Sequence, residues 1–134
     1  MSSKQNVIVV IPAFNEEKTI KQAIKGARPY CDDILVVMAR KSSDRTKDIV
    51  ISMGVKYLID QGLGKGNGMR LAILKISKGI IVFMDADGSH IPSDIPKLTK
   101  PIKQGKADMV IGSRFLGGSE ELNGDFNKSL SMFY

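Results

Sequence analysis

Short aliphatic runs recur along this chain, separated by segments whose apolar residues repeat every three to four positions. The runs are Val7 to Ile11, Ile34 to Met38, Ile80 to Met84 and Met109 to Ile111, and the segment Val55 to Ile59, which includes Lys56 and Tyr57, is predicted as a short third strand between the second and third of them. Such runs are typical of strands in a parallel sheet that is covered on both faces. Because strands alternate with helical segments, we expect right-handed crossovers and an α/β fold, a three-layer sandwich with a mainly parallel central sheet.

Four helices are predicted between these strands. Asn15 is expected to cap the first, with Glu16 and Glu17 in its opening turn, and Pro12 is expected to close the strand before it. The second helix is predicted from about Asp44 to Met53. Spacing predicts the inward-facing residues of three helices: Ile20, Ala23, Ile24 and Ala27 in the first; Met69, Ala72, Ile73 and Ile76 in the third; Ile95, Leu98 and Ile102 in the fourth.

Length and charge narrow the class of protein. With 134 residues and 43% hydrophobic content, the chain is expected to form a single domain over residues 1–134. A formal net charge of +6 favours anionic partners, but the basic residues are scattered, so no nucleic-acid surface is expected. Cys31 is the single cysteine and the N-terminus lacks the apolar core of a secretory signal, which predicts a cytoplasmic setting. No aliphatic stretch approaches the roughly 20 residues of a membrane-spanning helix.

Two carboxylates directly follow the fourth predicted strand. Asp85 and Asp87 stand at i and i+2 in the segment Met84-Asp85-Ala86-Asp87-Gly88. Ligands of open parallel sheets bind at the carboxyl ends of the strands. Carboxylates placed there can share one Mg²⁺ or Mn²⁺ ion whose remaining positions are filled by diphosphate oxygens. The alternative is a solvated turn, because Asp and Gly are common turn residues.

Other motifs with acidic or nucleophilic groups fit less well. An EF-hand loop needs its glycine at the sixth position after a helix, whereas Gly88 is fourth and follows a predicted strand. A haloacid-dehalogenase-type phosphatase also has Asp-x-Asp-Gly after an apolar strand, but its nucleophile lies near the start of a longer chain. His90 is the single histidine and has no Ser or Cys partner that spacing places beside it, so a hydrolytic triad is not supported.

Two further segments offer groups for an anionic ligand. The glycine-rich stretch Gly62 to Gly68 has neither Walker spacing nor the G-x-G-x-x-G pattern, so a conventional ATP or dinucleotide site is not expected. It either presents Lys65 and backbone amides to a diphosphate or is a flexible strand-to-helix turn. Arg114, in Gly112-Ser113-Arg114, follows the fifth predicted strand and either clamps a phosphate or lies in solvent.

Four segments in order resemble the inverting glycosyltransferases of the GT-A fold, especially dolichol-phosphate mannose synthase and related polyprenyl-phosphate glycosyltransferases. The segments are Val9-Val10-Ile11-Pro12-Ala13-Phe14-Asn15-Glu16-Glu17, Gly64-Lys65-Gly66, Asp85-Ala86-Asp87 and Gly112-Ser113-Arg114. The resemblance covers about residues 7–115. It implies the Rossmann-like GT-A sandwich of the nucleotide-diphospho-sugar transferases.

The resemblance also implies a reaction and its site. The substrate would be a GDP- or UDP-sugar, and its nucleoside would be contacted by Pro12, Ala13, Phe14 and Glu16. Asp85 and Asp87, on either side of the substrate-binding residue Ala86, would hold the metal ion. Lys65 and Arg114 would face the phosphates. The sugar would be transferred with inversion, with Asp87 and Arg114 supporting the departing diphosphate. A polyprenyl phosphate at the cytoplasmic membrane face would be the acceptor, and as an anion it needs no general base.

The chain departs from the family at two places. An aspartate that recognises the base commonly follows the second strand, and here Met38-Ala39-Arg40-Lys41 occupies that stretch. The family usually continues with acceptor-binding elements beyond the length of this chain. The alternatives are therefore a nucleotide-sugar-binding domain without catalysis, completed by a partner or a further segment, and a related nucleotidyltransferase. Residues 115–134 are expected to form an amphipathic segment that packs on the sheet or pairs with a second chain in a homo-oligomer.

Overall fold

The computed structural model describes residues 6–76, 78–88 and 90–106. The elements in chain order are β1 (Val7–Ala13), α1 (Ile20–Ala27), β2 (Asp33–Met38), α2 (Thr46–Ser52), β3 (Lys56–Ile59), α3 (Lys65–Lys75), β4 (Ile80–Phe83) and α4 (Ile95–Lys103). Short 3-10 turns at Arg28–Tyr30 and Pro92–Asp94 follow α1 and precede α4. A boundary between two compact units falls after Pro92, so the first unit carries β1 to β4 and the second carries α4.

The four strands form one parallel sheet in the order β3-β2-β1-β4. β1 pairs with β2 from Ile8↔Asp33 to Ala13↔Met38, and with β4 from Val7↔Ile80 to Val10↔Phe83. Along the chain, at least one helix lies between the two strands of each pair, as the crossover connection of parallel strands requires. The predicted α/β fold with a parallel central sheet is therefore confirmed.

Helices cover both faces of the sheet. The strand order runs one way from β1 to β3 and reverses to reach β4, so right-handed crossovers place α1 and α2 on one face and α3 on the other. The α3 face is built from Ile8, Val10, Leu35, Val37 and Ala72. Val9 and Ile11 alternate with these residues and are fully buried toward the other face. The predicted inward residues of α1, which are Ile20, Ala23, Ile24 and Ala27, are all buried.

The inward face of α3 differs from the prediction. The helix begins at Lys65, inside the glycine-rich stretch. Ala72 is buried as predicted, but the inward placement of Ile73 is wrong, because its exposed fraction is 51%. Gly68 is buried instead, and a Cβ there would lie 3.1 Å from Val37 Cγ1. The missing side chain lets the first turns of α3 approach the sheet.

Pro12 does not close β1, which continues to Ala13. Val10 accepts a hydrogen bond from the amide of Met84, so alternate residues of β1 direct their backbone groups toward β4. Pro12 is the next residue in that row and has no N–H to donate. The β1–β4 ladder therefore ends at Val10, while the β1–β2 ladder runs on.

Asn15 does not cap α1, which starts at Ile20 without a side-chain cap. Its backbone has φ 50. Its side-chain Oδ1 accepts hydrogen bonds from the amides of Ser43 at 2.8 Å and Asp44 at 3.2 Å. The side-chain oxygen that would cap the helix therefore accepts hydrogen bonds from the loop after β2 instead.

Gly79 brings the chain very close to the beginning of β1. Its φ is 112, and a Cβ there would lie 2.6 Å from Ile8 Cδ1 and 2.7 Å from the carbonyl oxygen of Asn6. The next amide, of Ile80, donates to that same Asn6 oxygen at 2.7 Å. Glycine is needed here both for its backbone conformation and for the close approach.

The fourth predicted helix is observed as α4, with Ile95 buried and Leu98 and Ile102 half-buried. The predicted strand Met109 to Ile111 and the tail 115–134 lie outside the described residues. Among the helices that the structure describes, none is long and apolar enough to cross a membrane.

Candidate functional site

The carboxyl ends of all four strands open into one cleft of about 450 Å³. From β1 the chain moves to β2 on one side, whereas β4 lies on the other side of β1. Ligands of open parallel sheets bind at such a reversal of strand order. Pro12 ends the β1–β4 ladder at this same place, so the backbone separates where the cleft begins.

Seven residues predicted for the donor site line this cleft: Pro12, Ala13, Phe14, Glu16, Asp85, Ala86 and Asp87. They come from the segments after β1 and β4, which the sheet brings side by side. Phe14 is 53% exposed, so an aromatic face is available to a ligand. Lys65 is the first residue of α3, but its side chain lies outside what the structure describes, as does all of Arg114. The roles of these nine residues stay predictions.

Asp85 and His90 are joined through the turn that follows β4. The backbone amide of Asp85 donates to His90 Nδ1 at 2.9 Å. In a neutral imidazole the proton then resides on Nε2, which lies 3.9 Å from Asp85 Oδ2, beyond hydrogen-bond distance. Gly88, with φ 85, allows the chain to turn back between them. His90 therefore holds the turn that carries both aspartates.

The chemistry of the donor set favours a cation shared with a ligand. Within the part of the chain that the structure describes, no group of three carboxylate, histidine or cysteine side chains is placed to hold a metal ion. The cleft offers the two carboxylates of Asp85 and Asp87. Mg²⁺ is commonly bound by one or two carboxylates together with substrate phosphates. The pair fits that arrangement and not a closed structural metal site.

Hydrogen bonds join the loop after β1 to the loop after β2. The amide of Glu16 donates to Thr46 Oγ1 at 2.9 Å, and the amide of Glu17 donates to Asp44 Oδ2 at 3.0 Å. Thr46 is fully buried. Desolvation raises the pKa of Asp44, but the hydrogen bonds from Thr46 and Glu17 outweigh it and hold that pKa below its ordinary value. These bonds fix the segment that places Phe14 and Glu16 at the cleft.

Sequence reasoning missed Asp60, which follows β3 and lines the cleft with an exposed fraction of only 9%. Its Oδ1 accepts hydrogen bonds from the amides of Arg40 at 2.9 Å and Gly62 at 2.8 Å. Arg40 and Lys41 line the cleft as well. The signal that could have found Asp60 is its position immediately after a predicted strand, the same signal that identified Asp85.

The fold, the cleft and the strand-end carboxylates together define a class of protein. Residues 8–133 match the family described as Glycosyl transferase family 2, and the chain belongs to that family. The resemblance to polyprenyl-phosphate glycosyltransferases and the GT-A fold are both confirmed by the relatives described next.

The chain is 38% identical to the uncharacterized protein MJ1222 of Methanocaldococcus jannaschii, over 98% of this chain and 56% of that protein. It is 33% identical to the dolichol-phosphate mannosyltransferase of Pyrococcus furiosus, over 92% of this chain and 37% of that protein. A crystal structure of glucosyl-3-phosphoglycerate synthase from Mycobacterium tuberculosis with Mn²⁺, UDP and glucosyl-3-phosphoglycerate matches with a TM-score of 0.65 and 28% identity. That match covers 73% of this chain and 39% of the synthase. The chain spans little more than half the length of MJ1222 and less of the other two.

Proposed function

We propose that this chain is the donor-binding part of a metal-dependent, inverting glycosyltransferase that uses a nucleoside-diphosphate sugar. The observation that carries the proposal is the position of Asp85 and Asp87 at the end of β4, on a cleft at the reversal of strand order. Membership of Glycosyl transferase family 2 and the Mn²⁺ and UDP in the mycobacterial synthase support it.

In this proposal Asp85 and Asp87 hold Mg²⁺ or Mn²⁺ against the diphosphate of the donor. When bound, the ion neutralises the charge that builds on the departing diphosphate. Pro12, Ala13, Phe14 and Glu16 hold the nucleoside, and Ala86, which is buried between the two aspartates, keeps the turn compact. Lys65 and Arg114 face the phosphates. Fixed groups of this kind favour the transition state because they need no reorientation as the charge develops.

The proposed acceptor is a polyprenyl phosphate at the cytoplasmic face of a membrane. The support is the 33% identity to a dolichol-phosphate mannosyltransferase. A phosphate oxygen is already an anionic nucleophile, so attack on the anomeric carbon from the face opposite the diphosphate needs no general base. The single-domain organisation over residues 1–134 belongs to the same proposal.

The test is calorimetric titration of UDP and GDP, with and without Mn²⁺, into the wild-type chain and the double variant Asp85→Asn, Asp87→Asn. We expect Mn²⁺-dependent binding of one nucleotide to the wild type and loss of that binding in the double variant. Asp48→Asn is the matched control, because Asp48 is exposed on α2 and does not line the cleft.

Two outcomes would contradict the proposal. If neither nucleotide binds a chain with a cooperative unfolding transition, the donor-site assignment is wrong. If a nucleotide binds equally well without Mn²⁺ and in the double variant, the metal assignment is wrong. Metal-dependent binding without sugar transfer to a short-chain polyprenyl phosphate would favour the alternative of a binding domain that needs a partner.

A further inference from the structure

Within the part of the chain that the structure describes, Asp60 accepts hydrogen bonds through one of its two carboxylate oxygens. Oδ1 accepts both the amide of Arg40 and the amide of Gly62. Oδ2 has no hydrogen-bond partner among the residues that the structure describes, although the residue is about nine-tenths buried. Burying an acceptor without a partner is costly, more so when it is ionised. Such an oxygen beside a cleft points to a ligand that donates a hydrogen bond to it.

Asp60 lies in the wall of the cleft, next to a glycine of α3. Asp60, Gly62 and Gly68 all line the cleft. Oδ2 lies 3.5 Å from the point that a Cβ would occupy at Gly68. Because Gly68 has no side chain, α3 places no Cβ against Oδ2 at this position.

The sheet order places Asp60 at the end of the cleft away from Asp85 and Asp87. β3 and β4 are separated by three strand spacings, roughly 14 Å. If the diphosphate is held at the end of β4, a span of this length carries the nucleoside toward the ends of β2 and β3. Phe14 follows the intervening strand β1, and its exposed ring can stack on a base.

We propose that Asp60 recognises the nucleobase of the donor by a hydrogen bond and that this base is uracil. This proposal rests on the proposed function. Because Oδ1 is already occupied by two amides, the carboxylate offers one oxygen to the base. Uracil presents one ring N–H, at N3, between two carbonyl oxygens. Guanine presents two adjacent donors, which a carboxylate pairs best with both of its oxygens. Arg40 and Lys41 line the same end of the cleft and carry the N–H donors that uracil carbonyls require.

The key variant is Asp60→Asn. The amide oxygen of asparagine can keep the two bonds from Arg40 and Gly62, so the loop retains its shape. Its NH₂ group then replaces Oδ2 and turns an acceptor into a donor. This change opposes the N3–H of uracil but matches cytosine, whose N3 is an acceptor.

The experiment is calorimetric titration of UDP, GDP and CDP with Mn²⁺ into wild type, Asp60→Asn and the control Asp48→Asn. We expect the wild type and the control to bind UDP at least about tenfold more tightly than GDP. Asp60→Asn should lose at least about tenfold in UDP affinity, and its CDP-to-UDP affinity ratio should rise.

Two results would overturn the inference while leaving the proposed function in place. One is GDP binding to the wild type as tightly as UDP. The other is an equal loss of UDP, GDP and CDP affinity in Asp60→Asn, which would assign Asp60 to the ribose or to the fold. Failure of all three nucleotides to bind the wild type would overturn the proposed function itself, and the inference with it.

Discussion

Asn15 Oδ1 accepts a hydrogen bond of 2.8 Å from the backbone amide of Ser43, 28 residues further along the chain. The bond joins the loops that follow β1 and β2, the two strands with the longest shared ladder. Asn15 also adopts a left-handed backbone conformation, with φ 50, which asparagine tolerates better than most residues. Asn15 thus stabilises the junction of these two loops through both its side-chain hydrogen bond and its backbone conformation.

Replacing Asn15 with alanine should destabilise the chain by about 1–2 kcal/mol, because the amides of Ser43 and Asp44 lose their acceptor and alanine is strained at positive φ. Urea unfolding measures the change. Asn15→Gly removes only the side chain without the strain, so it should be less destabilised than Asn15→Ala. Asn15→Asp keeps the acceptor and should lie nearest to the wild type. Equal stability of the alanine variant and the wild type would contradict the assigned role.

Gly68→Ala should weaken both stability and nucleotide binding. The new methyl group would lie 3.1 Å from Val37 Cγ1 and 3.5 Å from Asp60 Oδ2. The crowding should outweigh the gain of up to about 1 kcal/mol that alanine gives in a helix, for a net loss of about 1 kcal/mol. Gly66→Ala is the matched control, because a Cβ there meets nothing within 4 Å. Thermal or urea unfolding should show Gly66→Ala unchanged or stabilised, and the reverse order would refute the packing argument.

The stability of the chain should depend on the ionisation of Asp44. Its pKa lies below the ordinary value of 3.8, because hydrogen bonds from Thr46 and Glu17 outweigh desolvation. A lowered native pKa means that ionised Asp44 stabilises the fold above the unfolded value, and that this contribution is lost as pH falls through the native pKa. The urea midpoints of wild type and Asp44→Asn should therefore differ at neutral pH and converge as the pH falls below the ordinary value and through the native pKa. A difference that stays constant down to pH 2 would show that the charge is not involved.

Cys31 should react slowly with disulfide reagents. Burial raises the pKa of its thiol above the ordinary value of 9.0, and the charges of Asp32 and Asp33 raise it further. At pH 8 less than about a tenth of the thiol is then ionised, and the thiolate is the reactive form. The rate of reaction with an aromatic disulfide should be lower than that of the urea-unfolded chain and should still be rising above pH 9. A rate that levels off by pH 8 would indicate a lowered pKa, and a rate that levels off at the same pH in the folded and the urea-unfolded chain would indicate an unshifted one.

The strands β1, β2 and β4 could be predicted because each is built on a continuous apolar run. Asp85 and Asp87 could be predicted because they follow one such run directly. The rule that ligands bind at the carboxyl ends of parallel strands then placed them on the cleft. The inward face of α1 could also be predicted, because its apolar residues keep a helical period without interruption.

The errors come from contacts that no local pattern encodes. Asn15 carries a capping signal, but its acceptor is taken by amides 28 and 29 residues away. Asp60 follows β3, an edge strand with mostly exposed side chains, and one of its amide partners belongs to Arg40, 20 residues earlier. The extension of β1 through Pro12 depends on which neighbour each backbone group faces, and this is known only once the strand order is known.

The contact between Gly79 and Asn6 gives β4 a fixed origin. From Gly79 to Asp85 the chain advances six residues, roughly 20 Å in extended conformation. A larger side chain at position 79 would clash with Asn6 and Ile8, and the start of β4 would have to shift to relieve the clash. A slip of one residue would move Asp85 by about 3.3 Å and reverse the face to which it points. The position of Asp85 and Asp87 therefore depends on a contact at the amino end of the strands, opposite the cleft. A substitution there would displace the two carboxylates while every side chain that lines the cleft stays chemically unchanged.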